Sequence, residues 1–344
     1  MRRALLIKPG KLEIRKDSLI DPGPGEVRIR IRAAGICGTD LEVFKGNFPA
    51  GWNVEFPFQL GHELSGVIDA VGPDVPEAFR TGDRVVADGR IPCWYCSFCR
   101  KGLVNACENM GYNAGGFKEY NTYSYRSLVR IPDNVSYRDA AMAEPISCTL
   151  YGAEKLDVHV GDFSVVIGEG PIGLLHAQLL KRRGAEVAVI GLLENRLDVA
   201  RKLGFDHVIN ARDTDPVEEI RRLTGGYGAS QVVTAAGAEE VLRQALMMAG
   251  RGAEVLYFAA VMKKSCTLPM DDIHYKELKI IGSYDSTTLY FEKALRALAV
   301  GSVQAGPLIS HTFRLDEIQE AFDLALSGEG LKIMITDMEE GDED

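Results

Sequence analysis

The sequence predicts an α/β protein of two domains: a small β-rich domain forming a partial barrel, and a doubly wound parallel sheet. Three observations carry this. Across the first third of the chain, apolar residues alternate with charged ones, the period of a half-buried strand. Beyond about residue 150, short apolar strands alternate with helical stretches, the pattern of a parallel sheet with crossover helices. The first of those strands runs into Gly168-Glu169-Gly170-Pro171-Ile172-Gly173, which opens a helix. With 344 residues, the chain is long enough for two domains of roughly 150 residues each.

In the β-rich part, Val27, Ile29, Ile31 and Ala33 form an alternating strand, and 65–71 and 84–87 read as further short strands. Turn residues separate them at Pro22-Gly23-Pro24-Gly25, Gly72-Pro73 and Thr81-Gly82-Asp83. In the second part the predicted order is strand 163–168, helix 171–183, strand 186–190, helix 194–203, then alternating elements to about 258. A last strand, helix and strand over 307–336 could close either domain.

Apolar content of 46% with 26% charged residues describes an ordinary globular chain. The net charge of -10 argues against nucleic acid, whose phosphates need a basic face. No apolar run is long enough for a signal peptide or a membrane span, so no membrane partner is expected. Seven cysteines, an odd count with four clustered, argue against a disulfide framework and for a reducing, cytoplasmic location.

The cluster is Cys93, Cys96, Cys99 and Cys107. Four thiolates at this C-x2-C-x2-C-x7-C spacing can close a tetrahedron around one metal, and zinc suits them. A closed shell leaves no position for chemistry, so this metal is expected to be structural.

In the glycine loop, Gly168 makes the tight turn, Gly170 lets the backbone approach a pyrophosphate, and Gly173 lets the helix pack on the sheet. Pro171 and Ile172 open the helix, whose N-terminal N–H groups favour phosphate. The next strand should end in an acid for the adenosine ribose; it ends instead in Gly191, and Glu194 comes three residues later. Without that carboxylate a 2′-phosphate meets less repulsion. Arg196 adds positive charge and Glu194 opposes it, so the expectation is NADP or NAD, tilted slightly to NADP.

Further ligand types stand at Cys37, in Gly35-Ile36-Cys37-Gly38-Thr39-Asp40, at His62 and Glu63, in Gly61-His62-Glu63, and at Glu144, before Pro145. All are zinc ligand types, and a catalytic zinc keeps three protein ligands and one open position. Spacing alone does not show that they converge.

These stretches resemble the zinc-dependent medium-chain alcohol dehydrogenase family, in its sorbitol (polyol) and threonine dehydrogenase branch. The likeness includes Gly61-His62-Glu63-Leu64-Ser65-Gly66, the four-cysteine lobe, Glu144-Pro145, the glycine loop, His274-Tyr275-Lys276-Glu277-Leu278 and Gly282-Ser283-Tyr284, and runs over about residues 1 to 337. It implies a groES-like catalytic domain from 1–150 and 300–344, with a zinc lobe at about 90–110, and a Rossmann NAD(P)-binding domain from 151–299. It implies two zinc ions per subunit: a catalytic one at Cys37, His62 and Glu144, with Glu63 at the same metal, and a structural one at the four cysteines. Glu144, where liver-type alcohol dehydrogenases carry cysteine, favours the polyol and threonine branch. The implied reaction moves hydride between a secondary alcohol (a polyol, sugar derivative, aminocyclitol or amino-alcohol) and NAD(P) through a zinc-bound alkoxide, with Thr39 taking the proton. Threonine 3-dehydrogenase-type activity and a non-catalytic NAD(P)-binding relative are the alternatives. Many members carry histidine where this chain has Glu42, which leaves the proton path beyond Thr39 open. Phe44, Trp52, Phe117 and Tyr284 are candidates for the substrate pocket. The expected partner is a small-molecule alcohol, in a homodimer or homotetramer.

Overall fold

The computed structural model describes residues 1–48, 54–260 and 265–336. Trp52 lies outside them. The chain divides into two compact units: Met1–Ser147 with Thr287–Val300 and Ile309–Asp344, and Cys148–Ser286 with Gly301–Leu308.

The first unit opens with the hairpin β1 (Arg2–Lys8) and β2 (Lys11–Lys16), followed by β3 (Glu26–Gly35), α1 (Gly38–Lys45), β4 (Glu63–Val71) and β5 (Arg84–Ala87). The lobe follows, with β6 (Arg90–Ile91), α2 (Ser97–Arg100) and β7 (Gly111–Tyr112); then come β8 (Tyr120–Ser124), β9 (Leu128–Arg130), α3 (Tyr137–Ala140) and α4 (Ala143–Ala153). β3 is central to this unit because its alternation holds: Val27, Ile29 and Ile31 are fully buried and Ala33 nearly so. It pairs antiparallel with β4 and β8. Tyr123, Phe117, Phe322 and Leu6 fill the core beneath it.

The second unit carries β10 (Phe163–Ile167), α5 (Pro171–Arg182), β11 (Glu186–Gly191), α6 (Glu194–Lys202), β12 (His207–Asn210), α7 (Pro216–Leu223), β13 (Ala229–Thr234), α8 (Glu239–Met248), β14 (Ala249–Tyr257), α9 (Met270–Tyr275) and β15 (Lys279–Gly282). Its strands form one parallel sheet in the order β12-β11-β10-β13-β14-β15. Val165, Val166, Val187, Ala188, Val189, Val232 and Val233 are all fully buried, as expected for strands covered on both faces. The order reverses between β10 and β13, and the glycine loop follows β10, so it lies at the switch point where such sheets bind ligands.

The chain then returns to the first unit. Helix α10 (Thr288–Ala299) packs on β9 and α3, with Thr288 Oγ1 donating to Asp88 Oδ2 at 2.8 Å and the Arg90 guanidinium 5.5 Å from the Phe291 ring centre. The family resemblance implies a nucleotide-binding domain over 151–299, which would include this helix; its residues, with Phe291 and Leu295 buried, instead group with the first unit. Strand β16 (Ile309–Phe313), helix α11 (Ile318–Ser327) and strand β17 (Lys332–Thr336) finish it, and β17 pairs antiparallel with β3. The two-part α/β architecture predicted from sequence is therefore present.

Candidate functional site

The register of β3 and β4 builds the first site. Gly35, the last residue of β3, lies opposite Glu63, the first of β4, so Cys37 and His62 emerge side by side from the same end of the sheet. A ligand atom from each of Cys37, His62 and Glu63 lies within 4.8 Å of the other two. Asp40 fixes this meeting. Its buried carboxylate accepts from Cys37 N and from Gly61 N, each at 3.0 Å, tying the two loops together, and its Oδ1 stands 3.7 Å from His62 Nδ1. Burial raises Asp40 above the ordinary carboxylate range, and His62 and the two N–H groups offset this only in part. Glu144, in the first turn of α4, is not one of the clustered three, but its charge acts on both His62 and Lys332.

Lys332, at the start of β17, forms an ion pair with Glu63 Oε2, and its Nζ also donates to Ile36 O at 3.0 Å. Their side chains are 5% and 1% exposed. The pair fits because position 35 is glycine: a Cβ there would collide with Glu63 and stand 2.9 Å from Lys332 Cε. Burial works against the charge on Lys332, yet Glu63, Cys37 and Glu144 hold its pKa above the usual value. Burial likewise works against protonated His62, and Asp40, Cys37 and Glu144 hold it well above 6.5. A site with enough negative charge to keep cations in a buried pocket suits a dication, and the sulfur, nitrogen and oxygen donors match those zinc takes.

The second cluster is the lobe. The sulfurs of Cys93, Cys96, Cys99 and Cys107 lie within 4.8 Å of one another. Backbone N–H groups already point at them: Cys93 N at Cys107 Sγ (3.2 Å), Cys96 N at Cys93 Sγ (3.4 Å) and Cys99 N at Cys96 Sγ (3.5 Å). Desolvation opposes ionisation of Cys93, but the N–H groups of Tyr95 and Cys96 lower its pKa to about 6. Amides turned toward a ring of sulfurs are the outer support a thiolate-held metal needs, so the four residues fit a closed zinc site.

In the second unit, β10 ends in the glycine loop. Gly168 takes φ 128°, Gly170 is the N-cap of α5, and Pro171 and Ile172 form its first turn. A Cβ on Gly173 would stand 2.9 Å from the Gly168 carbonyl carbon, so glycine there permits the close packing of helix on loop. Gly191 ends β11 and Arg196 lies half-buried in α6. Glu194 is engaged by Arg201 Nη1 at 2.7 Å and by Asn210 Nδ2 at 2.9 Å.

Known proteins resemble this chain in sequence and in fold. Residues 23–133 match the family model for the alcohol dehydrogenase GroES-like domain, and 171–300 match that for zinc-binding dehydrogenase. The chain is 33% identical over 322 residues to a sorbitol dehydrogenase of Halalkalibacterium halodurans, covering 92% of each chain. It is 31% identical to a D-arabitol-phosphate dehydrogenase of Enterococcus avium, covering 90% of this chain and 89% of that one. The crystal structure of a zinc-binding dehydrogenase from Sinorhizobium meliloti bound to NADP superposes with a TM-score of 0.91 at 26% identity, covering 97% of this chain and 98% of that one. The chain belongs to the zinc-dependent medium-chain alcohol dehydrogenases. It falls in their sorbitol dehydrogenase-like branch and is an NAD(P)-linked oxidoreductase.

Two of the aromatic pocket candidates are buried in the hydrophobic core of the first unit. Phe44 is 3% exposed and Phe117 fully buried, with ring centres 5.0 and 5.7 Å from that of Phe322. They pack in the core, where α1 and the strand entry at 117 face inward on α11. Tyr284 is 67% exposed in the second unit. Thr39 is half-buried in the first turn of α1. Glu42, one turn on, receives Lys45 Nζ and Asn47 Nδ2 (2.8 Å), which hold its carboxyl below the usual range. Asp40 and Lys332 are the functional residues that motif reading passed over. Asp40 carried a usable signal, an acid three residues past a residue opening a helix; Lys332 carried none.

Proposed function

We propose that this chain oxidises a secondary alcohol of a polyol or sugar derivative and transfers its hydride to a nicotinamide coenzyme, using two zinc ions per chain. Cys37, His62 and Glu144, with Glu63 beside them, hold one ion; Cys93, Cys96, Cys99 and Cys107 hold the other. The reading rests above all on the meeting of half-buried Cys37 and His62 with buried Glu63. Zinc in that site supplies a Lewis acid that lowers the pKa of a substrate hydroxyl. The protein's own groups do the rest. Asp40 keeps the Cys37 and His62 loops in register, and Lys332 anchors Glu63 from behind. Thr39, two residues past Cys37, accepts the hydroxyl proton on its Oγ1 as its own hydroxyl proton passes to water. Glu42 is already satisfied by Lys45 and Asn47, which leaves it a weak acceptor of that proton. The loop from Gly168 to Gly173 and the N-terminus of α5 hold the coenzyme pyrophosphate.

The sorbitol and arabitol-phosphate activities named for the relatives support a polyhydroxylated substrate. Purified chain, given NAD or NADP with a panel of sugar alcohols, their phosphates, aminocyclitols and threonine, should form reduced nicotinamide with at least one polyol. Zinc-replete, folded protein that turns over threonine and no polyol would reject the substrate assignment. No turnover with any alcohol would reject the enzymatic reading.

A further inference from the structure

The strand tip that lacks an acid is not without a carboxylate. Glu169, the second residue of the glycine loop, reaches across to β11 and lies over Gly191. A Cβ built on Gly191 would stand 2.6 Å from Glu169 Cδ, 2.7 Å from its Oε2 and 2.8 Å from its Cβ. Side chains at 169 and 191 therefore compete for one space, and here the loop residue has it. Its Oε1 accepts from Leu192 N and Leu193 N, both at 3.0 Å, which fixes the carboxylate at the end of the strand. Oε2 makes no hydrogen bond among the described residues. The negative charge of Glu169 also faces Arg196, the cation that would otherwise favour a phosphate. Glu194, the nearest acid in sequence after the strand, is turned away to Arg201 and Asn210.

We propose that Glu169 determines coenzyme choice: its carboxylate replaces the missing strand-end acid, accepts the adenosine ribose hydroxyls, and makes the chain an NAD enzyme. In sheets of this kind the ribose sits at the end of the second strand, where an acid binds its diol. A carboxylate arriving from the loop puts the same charge in the same place. A 2′-phosphate brought against it meets like charge in a partly buried site, which weakens NADPH binding. The glycine at 191, which in sequence suggests tolerance of NADP, is in the fold the space that admits Glu169.

The proposal rests on the dinucleotide reading of the loop, and the test separates the two. Equilibrium binding of NADH and NADPH to the intact chain, followed by nicotinamide fluorescence, should favour NADH by about 100-fold or more in the wild type. Glu169→Gln keeps an acceptor for Leu192 N and Leu193 N and removes the charge. It should narrow the discrimination by at least about tenfold, chiefly through tighter NADPH binding. Glu169→Ala should narrow it as well, and adding Gly191→Asp to Glu169→Ala should restore the preference for NADH. Equal or tighter NADPH binding by the wild type overturns the proposal. So does a Glu169→Gln variant with unchanged discrimination, or one that loses both coenzymes equally. A folded wild type that binds neither coenzyme overturns the dinucleotide reading itself.

Discussion

Lys332 and Glu63, far apart in sequence, form a buried ion pair at the metal-ligand cluster. Removing one member of such a pair leaves the other charge buried without its partner, which typically costs 3–5 kcal/mol. Lys332→Met should therefore lower unfolding free energy by about 3–5 kcal/mol, and adding Glu63→Gln should recover a large part of that loss. Urea unfolding of the two variants, with zinc content measured alongside, checks this. A single variant as stable as wild type would show that the pair anchors nothing.

His176 sets an acid limit on stability. It is fully buried in α5, its ring stands edge-on to Phe258 at 4.5 Å between centres, and neither ring nitrogen has a hydrogen-bond partner among the described residues. Burial depresses its pKa from 6.5 to about 3. In the unfolded chain the ring binds a proton below about pH 6.5; in the folded chain it stays neutral down to about pH 3. Stability contributed by the neutral ring is thus whole above pH 6.5 and declines as pH falls through that window, by about 1.4 kcal/mol per pH unit. Between pH 7 and pH 5, wild type should lose about 2 kcal/mol more than His176→Leu. Parallel slopes for the two proteins would refute this.

Proton removal should depend on Thr39 and hardly on Glu42. With its carboxylate held by Lys45 and Asn47, Glu42 offers little to a proton path. Glu42→Gln should keep turnover within about threefold of wild type, whereas Thr39→Val should reduce it by about 10²-fold or more. Steady-state rates across pH on both variants decide the matter, and a large loss in Glu42→Gln would restore that residue to the relay.

The cysteine lobe should matter for integrity more than for chemistry. Cys99→Ser should release one zinc per chain and expose 93–107 to protease, while turnover at low temperature stays within about threefold. Loss of turnover with the lobe still protected would assign the lobe a direct part in the reaction.

What the sequence made legible was whatever depends on neighbours along the chain. The alternation of Val27, Ile29 and Ile31, the four cysteines and the strand-loop-helix around Gly168 all encode local geometry, and each is found in place. What it hid depends on register and return paths. Asp40 bridges Cys37 and Gly61 only because β3 and β4 pair as they do. Lys332 reaches Glu63 only because β17 comes back to β3. Phe44 and Phe117 stand near metal-ligand motifs in sequence, yet their rings point into the core against Phe322. Gly191 as a letter signals a missing acid, and only the fold shows Glu169 lying over it.

The most direct test of the zinc dehydrogenase reading is metal stoichiometry in Cys37→Ala, with turnover measured on the same sample. Wild type should carry two zinc ions per chain. Cys37→Ala should fold, retain the one held by Cys93, Cys96, Cys99 and Cys107, and lose at least about 10³-fold in alcohol oxidation. A Cys37→Ala protein that keeps full turnover with only the lobe zinc bound would contradict it.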